Sequence, residues 1–200
     1  MSIRGDLEII TPWIASGSQV LDLGCGDGTL LAHLQSEKNV LGYGLEIDEE
    51  QITRCIEKGV NVIEHDLDAK GLERFADKQF DTVIMTQALQ AVRRPDAMLD
   101  EMLRLGNQGV VTFPNFGHWR CRQYLLLKGK MPMSKTLPHT WFNTPNIHLC
   151  TFKDFEVLCH QKGIRVVNRM VVNADFRQNS FASIWPNMLA EFAVYRIERK

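Results

Sequence analysis

The sequence predicts an α/β fold, a mostly parallel seven-stranded sheet with helices on both faces. Three observations carry that expectation. Short apolar runs alternate with stretches of helical periodicity along most of the chain, the pattern of repeated strand–helix–strand units. The run V-L-D-L-G-C-G-D-G-T-L at 20–30 passes from strand residues through three glycines in five positions into an amphipathic repeat. The chain has 200 residues, 44% of them hydrophobic, enough to bury one full core.

In chain order, Val20, Leu21 and Leu23 make the first strand, and Thr29, Leu30, Leu31 and Leu34 open the first helix behind the glycine turn. Residues 40–47, V-L-G-Y-G-L-E-I, are the second strand. Asp48 can cap a helix over 49–58 that should bury Ile52, Cys55 and Ile56 and stop at Gly59. The third strand is expected at 60–64 and the fourth at 80–86. Pro95 suits the first turn of a helix whose apolar stripe is Met98, Leu99, Met102, Leu103 and Leu105, with Gly106 at its end. The fifth strand is 109–113. The alternation breaks at Pro114. A helix near 119–127 leads into K-G-K-M-P-M-S-K-T-L-P-H-T, which is too rich in Pro, Lys and Ser for a core. Residues 116–150 are therefore expected to form an insertion or lid on a single domain spanning 1–200. Thr151 and Asp154 resemble a capping box for a helix running through Lys162 and closed by Gly163. Residues 164–172 and 189–197 supply the last two strands.

The net charge is −1, so no overall field draws the chain to nucleic acid or to a membrane surface. No run approaches the roughly 20 apolar residues that span a bilayer. The start, M-S-I-R-G-D-L-E, carries charges and no long apolar stretch. A cytoplasmic protein without nucleic-acid or membrane partners is expected. The five cysteines, Cys25, Cys55, Cys121, Cys150 and Cys159, are odd in number and scattered, with no C-x-x-C. That spacing argues against a disulfide framework or a zinc site, and no metal is expected.

In open parallel sheets a ligand lies beyond the carboxyl ends of the strands. Gly24, Gly26 and Gly28 let the backbone turn and let a ligand approach it. The helix behind them offers free N–H groups. A dinucleotide would want G-x-G-x-x-G, but the spacing here is G-x-G-x-G, with Asp22 before the turn and Asp27 inside it. Two carboxylates would repel a pyrophosphate and suit a ligand with a cationic amino-acid end. Cys25 stands where a small packing residue is wanted.

The stretch D-L-G-C-G-D-G-T resembles the first motif of the class I S-adenosylmethionine-dependent methyltransferases, which have a Rossmann-like fold. The resemblance implies S-adenosylmethionine or S-adenosylhomocysteine as cofactor, held by Asp22, Gly24, Cys25, Gly26 and Gly28. Glu46, followed by Ile47, falls where the family places an acid on the ribose hydroxyls. As a strand-end acid it should support little packing. Asp66, with Asp68 competing for the role, would accept from the adenine amino group, and Leu67 would offer an N–H and an apolar wall. Thr86 and Gln87 would face the sulfur end. Many class I enzymes have a histidine near Gln90. Here the stretch is L-Q-A-V, and glutamine cannot act as a general base. His118, His139 and His148 remain as candidates, with His118, just after the fifth strand, the best placed.

Further motifs are Q-A-L-Q-A-V-R-R-P at 87–95, V-T-F-P-N-F-G-H-W-R-C-R at 111–122, K-G-K-M-P at 128–132 and W-F-N-T-P-N-I-H-L-C-T-F-K-D-F at 141–155. With the glycine motif they resemble the MetW family of methionine-biosynthesis proteins over about 3–196. That resemblance implies an accessory protein needed by a partner homoserine O-acyltransferase of the α/β-hydrolase type, acetyl- or succinyl-transferring. The alternative is a methyltransferase acting on a small molecule or a protein side chain. Phe116, Trp119, Tyr124, Trp141 and Phe142 are interleaved with Arg120, Arg122, Lys128, Lys130 and Lys135. Such a mixture suits a protein interface or a lid over the pocket. It lacks any RNA-binding motif.

Overall fold

The structure is a computed structural model and describes residues 5–177 and 182–200. Seven strands form one sheet: β1 (Gln19–Leu23), β2 (Leu41–Glu46), β3 (Asn61–Glu64), β4 (Phe80–Thr86), β5 (Gly106–Pro114), β6 (Ile164–Val172) and β7 (Phe192–Arg199). Their order is β3-β2-β1-β4-β5-β7-β6. The first five are parallel, and β7 runs antiparallel to both neighbours. The helices are α1 (Gly5–Ile10), α2 (Thr29–Lys38), α3 (Glu49–Glu57), α4 (Pro95–Leu105), α5 (Trp119–Lys128), α6 (Phe152–Gln161) and α7 (Pro186–Leu189).

The central strands are apolar on both faces because helices cover both. Leu21, Leu23, Val83, Met85, Val111 and Phe113 belong to one core, filled by Leu99 and Met102 of α4 and Phe155 of α6. Their strand neighbours Val20, Ile84 and Val110 belong to the other, filled by Ile10 of α1 and Leu31 and Leu34 of α2. This is the two-residue alternation of a strand. The order reverses between β1 and β4, so the loops after these strands part at that point and leave a crevice.

Two expectations change. Ile56 is 66% exposed, whereas Cys55 is fully buried. The helix meets the sheet through Cys55, packed beneath the glycine loop, and the next residue lies about 100° round the helix. Gly106 stands at the end of α4, as expected. It has φ −115° and opens β5 directly. A Cβ there would stand 2.8 Å from Val83 Cγ2, so strand pairing requires the glycine. The last strand begins at Phe192, because Pro186 starts the short α7 in the segment expected to begin it.

The capping box forms as expected: Thr151 Oγ1 accepts from Asp154 N, and the Asp154 carboxylate accepts from Thr151 N. Among the described residues no helix is long and apolar enough to cross a membrane.

Candidate functional site

The glycine loop sits at the switch point. Gly24, Gly26 and Gly28 all have positive φ, at 74°, 55° and 71°. Gly24 N and Cys25 N donate to Leu45 O at 2.9 and 3.1 Å, fastening the loop to β2. Gly26 N donates to Glu46 Oε2 at 2.8 Å. Glu46 Oε1 accepts from Ile47 N at 2.8 Å and Asp48 N at 3.0 Å. Glu46 is thus no loosely solvated strand end but a clamp on three backbone N–H groups. A carboxylate offers about four acceptor positions, so capacity for a hydroxyl remains.

A Cβ on Gly26 would meet nothing within 4 Å, so the loop faces open space there. That space is a cavity of about 220 Å³ lined by Gly24, Cys25, Gly26, Asp27, Leu30, Thr86 and Gln87. A Cβ on Gly24 would come 3.1 Å from Ala88 Cβ and 3.8 Å from Leu67 Cδ1, which brings the ends of β3 and β4 against the same loop.

Asp22 is 1% exposed, beneath the loop at the end of β1. Burial, and then the Asp22 charge, push the Cys25 thiol far above the usual range. Cys25 is accordingly an inert packing residue with its Sγ 3.8 Å from that of Cys55. Gly44 of β2 makes room for it, since a Cβ there would lie 2.9 Å from Cys25 Cβ.

Asp27 corrects an expectation. The sequence offers it as a second carboxylate for the ligand's cation, yet Lys58 Nζ donates to its Oδ2 at 2.6 Å and Thr29 Oγ1 donates to the same oxygen at 2.8 Å. Burial alone would raise the Asp27 pKa, but these bonds outweigh it and hold the value at about 2. Asp27 is therefore already neutralised by a lysine that sequence reasoning did not single out. Lys58, the last residue before Gly59, carried no signal of that role.

Ile47 is 58% exposed beside Glu46. Asp66 is exposed, and its Oδ1 accepts from Asp68 N at 2.9 Å. Asp68 instead turns to Arg93, whose N–H it accepts at 2.8 Å. Gln87 holds φ 54°, a strained region for a side-chain-bearing residue. Its N–H is fixed by Thr112 O at 2.9 Å and Thr112 Oγ1 at 3.0 Å, and its carbonyl accepts from Gln90 Nε2 at 2.6 Å. Thr112 was missed; a lone hydroxyl in the apolar run V-V-T-F-P was the available signal.

His118 lies away from the glycine-loop cavity. It caps α5, with Nδ1 accepting from Arg120 N at 3.4 Å. A neutral ring so placed carries its proton on Nε2, where it is a donor and not a base. Burial lowers its pKa. His148 donates its backbone N–H to Gln90 O at 3.0 Å and is exposed, as is His139. Among the described residues no cluster of three or more His, Cys, Asp or Glu could hold a metal ion.

The chain is similar to proteins of known sequence and structure. It is 33% identical over its whole length to the bifunctional methionine biosynthesis protein MetXA/MetW of Rhodopirellula baltica, of which it spans one third. It is 27% identical to a ubiquinone biosynthesis O-methyltransferase of Pseudomonas fluorescens over 62% of this chain and 55% of that one. Among solved structures, a SAM-dependent methyltransferase from Archaeoglobus fulgidus superposes with a TM-score of 0.72 at 15% identity, covering 98% of this chain and 93% of the other. An S-adenosylmethionine-dependent methyltransferase from Mesorhizobium loti gives 0.67 at 15% identity, covering 98% of both chains. These likenesses establish the class I methyltransferase fold. The family model for the methionine biosynthesis protein MetW matches residues 4–197, and the chain belongs to that family.

Proposed function

We propose that the chain binds S-adenosylmethionine or S-adenosylhomocysteine in the glycine-loop cavity and serves as an accessory protein of a homoserine O-acyltransferase of the α/β-hydrolase type. The observation that carries the partnership is the Rhodopirellula baltica relative, in which MetXA and a region like this whole chain share one polypeptide. Fusion keeps two partners at high effective concentration.

Several residues in and near the glycine loop support the cofactor reading. Gly26 leaves its face open, Glu46 keeps acceptor capacity for ribose hydroxyls, and Ile47 and Leu67 offer apolar contact for adenine. In this reading Asp66 would accept from the adenine amino group, and Thr86 and Gln87, which line the cavity, would face the sulfur end. When bound, S-adenosylmethionine supplies a sulfonium methyl group. The chain's own residues bind and orient it. On the acceptor side Gln90 stands near where many class I enzymes have a histidine, and His118 caps a helix. This favours binding without turnover over the alternative, methyl transfer to a small molecule or side chain.

The test is to assay homoserine acylation by the acyltransferase of the same organism with and without this chain, with methyl transfer followed in parallel. Acylation should rise when the chain is added, and methyl transfer should stay at background. Equal acylation in both arms would remove the accessory reading.

A further inference from the structure

The described residues include eighteen large hydrophobics with substantial exposure, and eleven of them fall between 119 and 149. The centre of this patch is α5, which buries only Cys121. Leu125, Leu126 and Leu127 are 44%, 83% and 68% exposed in succession. Three consecutive exposed leucines are a fault in a free-standing domain unless they serve a purpose. Trp141 and Phe142, 75% and 72% exposed, stand edge to face at 5.8 Å beyond it. Between α5 and residues 132–136 lies a groove of about 520 Å³, lined by Cys121, Tyr124, Leu127 and Pro132 with the cations Arg120, Lys128 and Lys135 and one acid, Glu191; Lys135 also lies 4.0 Å from Asp175.

The charge of this segment differs from that of the rest of the chain. Residues 116–150 hold Arg120, Arg122, Lys128, Lys130 and Lys135 and no acid, a charge of +5. With a total of −1, the remaining residues carry −6. A second copy of the chain would therefore bring cations against cations if this face met itself, as a two-fold dimer requires.

We propose that this cationic apolar face, α5 with residues 130–149, is the docking surface for the homoserine O-acyltransferase, which presents an apolar patch rimmed by acidic residues. The inference rests on the partnership proposed above and adds its location. The rim cations steer encounter and orient the pair, while the leucines and aromatics supply the buried centre. A specific complex of this kind buries about 1,200–2,000 Å², more than α5 alone can supply, so the aromatic pair belongs to the same contact.

The test measures binding of full-length chain to the acyltransferase by calorimetry, with acylation and S-adenosylhomocysteine binding as separate readouts. Leu127→Glu and the double variant Lys128→Glu/Lys130→Glu should each weaken the complex at least tenfold and lose activation. Cofactor affinity should stay unchanged. Ile56→Glu, a surface control on α3, should bind like wild type. Raising salt should weaken the wild-type complex and have less effect on the charge-reversed one. If wild type activates and both variants do so equally, the partnership stands and the location is wrong. If wild type neither binds nor activates, the partnership itself fails and this face loses its occupant. If the variants abolish self-association without touching partner affinity, the face belongs to a second copy and the proposal is overturned.

Discussion

At the residue scale Glu46 decides the shape of the site. Its two oxygens accept three backbone N–H groups, those of Gly26, Ile47 and Asp48. A glutamine there has one acceptor and one donor, so either amide orientation sets an N–H against an N–H. Glu46→Gln should weaken S-adenosylhomocysteine binding by about tenfold or more, roughly 1.4 kcal/mol, and lower the unliganded melting temperature. Calorimetry and thermal unfolding check both, and a variant indistinguishable from wild type would contradict the clamp. The sequence placed an acid at the right strand end. It could not show that the acid also holds the loop, because the loop and the acid are twenty residues apart.

At the scale of elements, the N-terminus of α2 is tied to the end of α3 through Asp27 and Lys58. The Asp27 pKa is depressed to about 2 from an ordinary value of 3.8. Its contribution is therefore complete above about pH 4 and is lost as pH falls through about 2. Asp27→Asn should destabilise the chain at pH 7 by no more than about 1 kcal/mol, since both partners are about a third exposed to screening water. The difference from wild type should shrink toward pH 2 in denaturant titrations, and a constant difference across that range would refute the tie. The capping box of α6 was legible because its signal is local, Thr151 with Asp154 three residues on. Spacing alone predicts burial of Ile56, because Ile52, Cys55 and Ile56 fit one helical face equally well, yet Ile56 is exposed. Only the position of α3 over Gly28 and Val60 selects Cys55.

At the scale of the molecule, a ligand that binds only the folded chain raises its stability by mass action. S-adenosylhomocysteine at about a hundred times its Kd should add about 2.7 kcal/mol, a rise in melting temperature of roughly 5–10 °C for a chain of this size. Gly26→Val should abolish that shift, because a branched side chain at φ 55° is strained and fills the open face of the loop. A wild-type melting temperature insensitive to the cofactor would count against the proposed pocket. The sequence by itself determined the alternating fold, the glycine turn and the family, because periodicity, turn chemistry and motif spacing are local properties of the chain. Tertiary structure alone decided that Lys58 neutralises Asp27, that Thr112 and Gln90 hold Gln87, that His118 caps a helix, and that the leucines of α5 face water. The Lys58 and Thr112 contacts depend on which distant segments the sheet order brings together, 31 and 25 residues apart, and no spacing along the chain encodes that; the His118 and Gln90 bonds are local, but histidine and glutamine are not among the residues that mark a cap or a turn.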